Sequence, residues 1–211
     1  MCFTERDIKI FPGGRMIIAG CSNSGKSYLS KKLIEKYHRE FRHIVICGVE
    51  KHEIQSLYPE GFVTVTREII DPVQYQVEEN EPILFVIDDS FDEAINSKIV
   101  LNSFTKGRHS NVSVILISQN IFGQGKHARS IALNASHIIL TRNRDVCQVQ
   151  TLFRQVFGKN KVSDATEVYK RAVLTRKYGY ILLDVSAETP QSLQLRTNIV
   201  GEEPCEVVYA I

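Results

Sequence analysis

Eight consecutive residues restrict this chain more than any other stretch: Gly20-Cys21-Ser22-Asn23-Ser24-Gly25-Lys26-Ser27, between a short apolar run at 16–19 and a helical pattern over 26–39. Gly20 and Gly25 let the backbone curl so that successive N–H groups point inward, and the helix that follows adds the positive end of its dipole. A loop of this shape holds phosphate. Lys26 is spaced to reach the β- and γ-phosphates of a nucleotide, and the Ser27 hydroxyl to join the shell of a magnesium ion. The predicted nucleotide-binding residues are Gly20, Cys21, Ser22, Asn23, Ser24, Gly25, Lys26, Ser27 and Tyr28, with ATP and Mg2+ as the expected ligands. A plain Gly-rich turn between strand and helix is the competing reading, and the strand before and helix after count against it.

Around this loop, apolar β-rich runs at 16–19, 43–47, 62–66, 83–88, 112–118, 138–141 and 180–185 alternate with helical patterns at 26–39, 93–105, 129–134, 145–156 and 163–176. Alternation of this kind predicts an α/β fold, a P-loop NTPase of the RecA/ASCE-like type: a three-layer sandwich with a mainly parallel central sheet. Unbroken runs such as Ile83-Leu84-Phe85-Val86-Ile87 are what a strand covered on both faces requires. We read residues 1–211 as a single domain, with a core over about 10–186 and a C-terminal appendage over about 187–211 that holds one further strand pattern at 193–199.

Three polar groups stand where strand ends should meet the phosphates. Asp88 and Asp89 follow the 83–87 run, which suits Asp88 to hold the metal through water and Asp89 to polarise the attacking water. Asp89 with Ser90 also offers a helix cap, the lesser of the two readings. Gln119 ends the 112–118 strand and is positioned to contact the γ-phosphate or the lytic water, although Ser118, Gln119 and Asn120 are also ordinary turn formers. Ahead of that strand, Lys106-Gly107-Arg108-His109 offers Arg108 as an arginine finger for a neighbouring subunit or, more plainly, as a solvated loop residue. Lys126, His127, Arg129, Arg142 and Arg144 are candidates for a DNA channel or a second finger, each by itself also ordinary surface charge. The predicted catalytic set is Lys26, Asp89, Arg108 and Gln119, and the predicted metal ligands are Ser27 and Asp88.

Composition narrows the classes. A formal charge of +2 from 26 basic and 24 acidic residues does not mark a polyanion binder, so such contacts must come from local clusters. Five scattered cysteines form no zinc spacing and point to a reducing compartment. Neither a membrane span nor a signal-peptide pattern is present, which sets the expectation of an intracellular protein without membrane contact.

The segments Gly20–Ser27, Phe85-Val86-Ile87-Asp88-Asp89 and, above all, residues 104–122 resemble the FtsK/HerA superfamily of DNA-translocating ATPases. Within it they are similar to the short genome-packaging ATPases of poxviruses, other large DNA viruses, virophages and Maverick/Polinton-type elements. Residues 134–142 and 195–199 also resemble the Polinton-type branch, and the likeness spans roughly residues 10 to 200. The resemblance implies an ATPase working as a homo-oligomeric ring, hexamer or pentamer, on double-stranded DNA, with capsid proteins as partners and virion association as a further expectation. It also implies Asp89 as the water-activating residue where the superfamily more often has Glu, Gln119 as the γ-phosphate sensor and Arg108 as the trans finger. A GTPase reading lacks its base-reading motif, for which residues 141–145 are a poor substitute, and an ABC-type reading lacks its signature. A P-loop kinase of a small phosphate acceptor and a nucleotide-gated capsid-assembly subunit with little turnover remain as alternatives.

Overall fold

Among the described residues there are nine strands, the first eight at the runs read from the sequence: β1 (Arg15–Ala19), β2 (His43–Cys47), β3 (Val63–Thr66), β4 (Ile83–Ile87), β5 (Val112–Ser118), β6 (His137–Leu140), β7 (Ile181–Asp184), β8 (Leu195–Thr197) and β9 (Val207–Tyr209). The helices are α1 (Lys26–Tyr37), α2 (Phe91–Ala94), α3 (Lys98–Thr105), α4 (Ala128–Asn134), α5 (Val146–Phe157) and α6 (Val162–Leu174). These elements come from a computed structural model that describes residues 10–200, 207–209 and 211.

All nine strands form one sheet in the order β3-β2-β4-β5-β1-β6-β7-β8-β9. From β3 across to β6 every pairing is parallel, and from β6 to β9 every pairing is antiparallel. β5 therefore lies between β1, which feeds the glycine loop, and β4, which delivers Asp88. Register brings the strand ends level: Ala19 pairs with both Ser118 and Leu140, and Ile87 pairs with Leu116. The residues that follow β1, β4, β5 and β6 thus open on one edge of the sheet.

Alternate side chains build two cores. Ile83, Phe85 and Ile87 with Val112, Val114 and Leu116 face one way, against Val100 and Phe104 of α3, Ile131 of α4, Val149 and Phe153 of α5 and Tyr169 of α6. Leu84, Val86, Ile115 and Ile117 face the other way, against Leu29, Leu33 and Ile34 of α1. Helices on both faces make the three layers, and they explain why β4 and β5 read as unbroken apolar runs.

Two details differ from the sequence reading. The helical pattern over 93–105 is divided into α2 and α3, because the Ser97 hydroxyl accepts from the N–H groups of Ile99 and Val100 and starts a new helix. Residues beyond 186, read as an appendage, add β8 and β9 to the same sheet. β8 is fastened by a buried cluster at the sheet edge away from the loop. Arg196, 1% exposed, donates to the Asp184 carboxylate, which also accepts from Thr189 Oγ1 at 2.9 Å and the Ser186 backbone N–H at 3.0 Å. His137 Nε2 lies 3.7 Å from the same carboxylate, and Ser136 Oγ is 2.9 Å from its Nδ1.

Candidate nucleotide site

The glycine loop is tied to its neighbours on either side: Gly20 N–H donates to the Ser118 carbonyl at 3.1 Å and Cys21 N–H to the Arg142 carbonyl at 2.8 Å. A Cβ on Gly20 would sit 1.9 Å from Thr141 Oγ1, so a side chain has no room there. Thr141 in turn stands 2.6 Å from Ser24 Oγ, joining the loop to the end of β6. Asn23 and Gly25 adopt left-handed backbone, with φ of 60° and 94°, which turns the chain into α1. The loop's shape is therefore held by contacts with the ends of β5 and β6.

Lys26 Nζ bridges the loop to the Cys21 carbonyl at 3.0 Å, across the concavity where phosphates belong. Its partial burial lowers its pKa, with Cys21, Asp88 and Asp89 acting the other way. Ser27 Oγ donates to Asp88 Oδ2 at 3.0 Å. This bond fixes the Asp88 carboxylate beside the Ser27 hydroxyl, where the hydroxyl oxygen can bind a magnesium ion and the carboxylate can hold one of that ion's waters. Among the described residues no group of three or more His, Cys, Asp or Glu forms a metal cage. Magnesium does not need one, because it is ordinarily held by one or two protein oxygens together with substrate phosphates. His52, in the turn after β2, is close enough to Asp88 for that charge to raise its pKa, while burial lowers it by more.

A cleft of about 590 Å³ opens here, lined among others by Ser22, Lys26, Ser27, Asp88, Asp89 and Gln119. That is the size range of small-molecule sites. Asp89 has a left-handed backbone, φ 56°, and lies exposed in the cleft, while α2 begins after Ser90 without a side-chain cap bond. Gln119 is held at the mouth by a tight turn in which Ser118 Oγ donates to the Asn120 carbonyl and accepts from the Asn120 N–H. Tyr28, in the first turn of α1, faces Tyr178 across 5.3 Å.

Arg108 is not brought into this cleft. It sits on the short 3-10 turn Gly107–Ser110 that precedes β5, and its charge acts on Arg15 at the start of β1. Seven strand residues, about 23 Å, separate that edge from the one carrying the loop. Arg142 and Arg144 follow β6 on the loop's own edge. Lys126 and His127 lie on the segment after Gln119, which is pinned to the end of α2 through Asn96 Oδ1 and the Ile95 carbonyl, and Arg129 lies in α4. Thr141 and Tyr178 are not marked in the sequence, because each matters through what the fold sets beside it.

A family profile described as Poxvirus A32 protein matches residues 5–190. The chain belongs to that family. No curated protein sequence matches this A32-family chain at a significant level. Among solved structures it is similar to the genome packaging NTPase B204 from Sulfolobus turreted icosahedral virus 2 in complex with ATP-gammaS, at 16% identity and a TM-score of 0.56, covering 83% of this chain and 94% of that one. It is similar as well to B204, the DNA-packaging ATPase from Sulfolobus turreted icosahedral virus, at 14% identity and a TM-score of 0.58, over 84% of this chain and 95% of the other. A third similar structure is EssC (ATPases 2 and 3) from Geobacillus thermodenitrificans, at 13% identity and a TM-score of 0.51, over 69% of this chain and 34% of that one. At these identities the three bear on the fold, a mainly parallel α/β sheet of the P-loop ATPase type. No helix among the described residues is long and apolar enough to cross a membrane.

Proposed function

We propose that this A32-family chain is an ATP-hydrolysing motor that moves double-stranded DNA into a viral or virus-like capsid, with sites completed between the subunits of a homo-oligomeric ring, hexamer or pentamer. The observation that carries the reading is the Ser27–Asp88 oxygen pair beside Lys26, in a cleft onto which Asp89 and Gln119 also open. Family membership and the description of the similar B204 chains as packaging NTPases support the choice of task.

The backbone N–H groups of residues 20–27 hold the phosphates, and Lys26 trades its bond to the Cys21 carbonyl for one to the γ-phosphate. Ser27 directly and Asp88 through water would hold Mg2+, which would supply charge neutralisation at the phosphates. Asp89 takes the proton of the attacking water, and Gln119 orients that water and registers loss of the γ-phosphate. Arg108 acts in the site of the adjacent subunit. DNA is gripped through its phosphates by cations among Lys126, His127, Arg129, Arg142 and Arg144, so binding is sequence-tolerant and weakens steeply with salt. The chain acts as one ATPase unit inside the host cell, in contact with capsid proteins and in part with the virion.

The test is ATP hydrolysis with and without double-stranded DNA in wild type, Lys26→Ala and Arg108→Ala, with oligomer state followed by light scattering. Stimulation by DNA, with turnover lost in Arg108→Ala while ATP binding persists, supports the motor. Turnover indifferent to both DNA and Arg108 would hand the chain to the kinase or assembly-subunit alternatives.

A further inference from the structure

The turn between α6 and β7 lays an aromatic ring on the phosphate-binding loop. β7 runs antiparallel to β6, with Ile181 opposite Leu140, so the turn that leads into it stands at the edge where Gly20 and Thr141 meet. A Cβ on Gly25 would lie 2.7 Å from the Tyr178 ring, which means that the ring covers the last glycine of the loop. The same ring faces Tyr28 at 5.3 Å with 37° between planes, and Lys177 Nζ stands 5.1 Å from its centroid. Tyr28 and Tyr178 are 51% and 40% exposed. Neither is simply filling the core.

The Tyr178 backbone is itself unusual, with φ at 61°, in the left-handed region that a bulky side chain rarely adopts. Strain of this kind persists where surrounding structure imposes it, and it concentrates at ligand sites. Here the imposing contacts are clear. Gly179 is pressed against the carbonyls of Ala172 and Val173, and Gly179 N–H closes the turn on the Arg176 carbonyl at 3.0 Å. Tyr180, on the other side, is held by Thr197 Oγ1 at its carbonyl and by the Val200 N–H at its hydroxyl.

The cleft that receives the γ-phosphate is lined by Asp88, Asp89 and Gln119, and the two tyrosines lie outside that lining. A triphosphate laid along the loop with its γ end at Gln119 carries its nucleoside out by the other side of Lys26 and Ser27, towards Tyr28 and Tyr178. We propose that Tyr178, with Tyr28 beside it, is the stacking platform for the nucleobase, and that the site consequently accepts nucleoside triphosphates with little discrimination between bases. The inference rests on the phosphate-binding role of the loop. Stacking on an aromatic face is tolerant because every base offers a π-face, and it carries no reading of the base edge.

The experiment measures binding of fluorescent ATP and GTP analogues, and of inorganic tripolyphosphate by competition, all with magnesium. Wild type is compared with Tyr178→Gly, which removes the ring and accepts the left-handed backbone, with Tyr178→Phe, which keeps the ring, and with Lys26→Ala. Tyr178→Gly is expected to weaken ATP and GTP alike by roughly ten- to a hundredfold, to leave tripolyphosphate unchanged, and to be restored by Phe. Wild-type affinities for ATP and GTP are expected within about tenfold of each other. Unchanged ATP binding in Tyr178→Gly would overturn the platform, as would parallel loss of tripolyphosphate, which would mean a damaged loop. A wild-type preference for one base beyond about a hundredfold would overturn the tolerance. Retention of tripolyphosphate by Lys26→Ala at wild-type strength would instead remove the loop reading on which the proposal stands.

Discussion

Arg196 and Asp184 allow the linkage between the C-terminal strands and the rest of the sheet to be measured. Both are nearly inaccessible, at 1% and 4% exposure, and the carboxylate also holds Thr189 and the Ser186 backbone. Asp184→Asn removes the negative charge and leaves the Arg196 guanidinium buried without its counter-charge. Removing one partner of such a pair costs about 3–5 kcal/mol, because the survivor's desolvation is no longer compensated. Arg196→Met belongs near the lower end of that range, since the Asp184 carboxylate would keep the Ser186 and Thr189 donors. A domain of this kind has roughly 5–15 kcal/mol in total, so either change takes a large share of it. The double variant Asp184→Asn/Arg196→Met buries no unmatched charge and should cost less than Asp184→Asn alone, with a coupling of about 2 kcal/mol or more. Urea unfolding followed by circular dichroism gives all four corners of the cycle. Additive costs, or singles below about 1 kcal/mol, would show that the pair is solvated and that the reasoning from burial is wrong.

Asp89→Asn should preserve the local backbone, because Asn tolerates the left-handed conformation found there, while ATP turnover falls about 10²-fold or more and ATP affinity stays within a few-fold; steady-state turnover and equilibrium binding together check this, and unchanged turnover removes Asp89 from catalysis. Gly20→Ala should weaken ATP binding and lower the unfolding midpoint because its Cβ collides with Thr141 Oγ1, and Thr141→Ala in the same chain should recover part of both. No recovery would locate the damage elsewhere. Burial lowers the His137 pKa to about 4, against the pull of nearby Asp184 and with the push of Arg196 and Arg15. Because the unfolded value is about 6.5, the unfolded chain takes up the proton first as pH falls. The contribution is full above about pH 6.5 and lost between there and about pH 4, amounting to roughly 3 kcal/mol. Unfolding free energies across that window should flatten in His137→Gln, and an identical slope in both proteins would refute the assignment.

The parts of this molecule that could be read from sequence are those whose cause is local. The loop 20–27, the buried strands at 83–87 and 112–118, and the carboxylates and amide at their ends each carry a pattern within a few residues. Register then does the rest, since parallel strands must end level for Asp88 and Gln119 to meet Lys26. The break at Ser97 was masked by the apolar spacing across 93–105, which reads as a single helix. What could not be read depends on pairing between distant segments. Nothing near Ile181 says that β7 turns antiparallel, so neither the approach of Tyr178 to Gly25 nor the meeting of Arg196 with Asp184 and His137 had a local sign. The stretches 134–142 and 195–199, which carried part of the family likeness, contribute His137 and Arg196 to that one buried cluster.

The phosphate loop and Arg108 occupy opposite edges of the sheet, and this has an arithmetic side. If each Arg108 completes a neighbour's site, contact must be head to tail, with unlike surfaces meeting. A lone chain then has no finished site, an open row has one fewer than its number of chains, and only a closed ring has as many as it has members. Specific activity should therefore climb with assembly even if no chain changes shape. A small dose of Arg108→Ala subunits would disable sites belonging to intact neighbours, while Lys26→Ala subunits would lose only their own, so in mixing experiments the two variants should restore activity to each other wherever they stand side by side in the correct order.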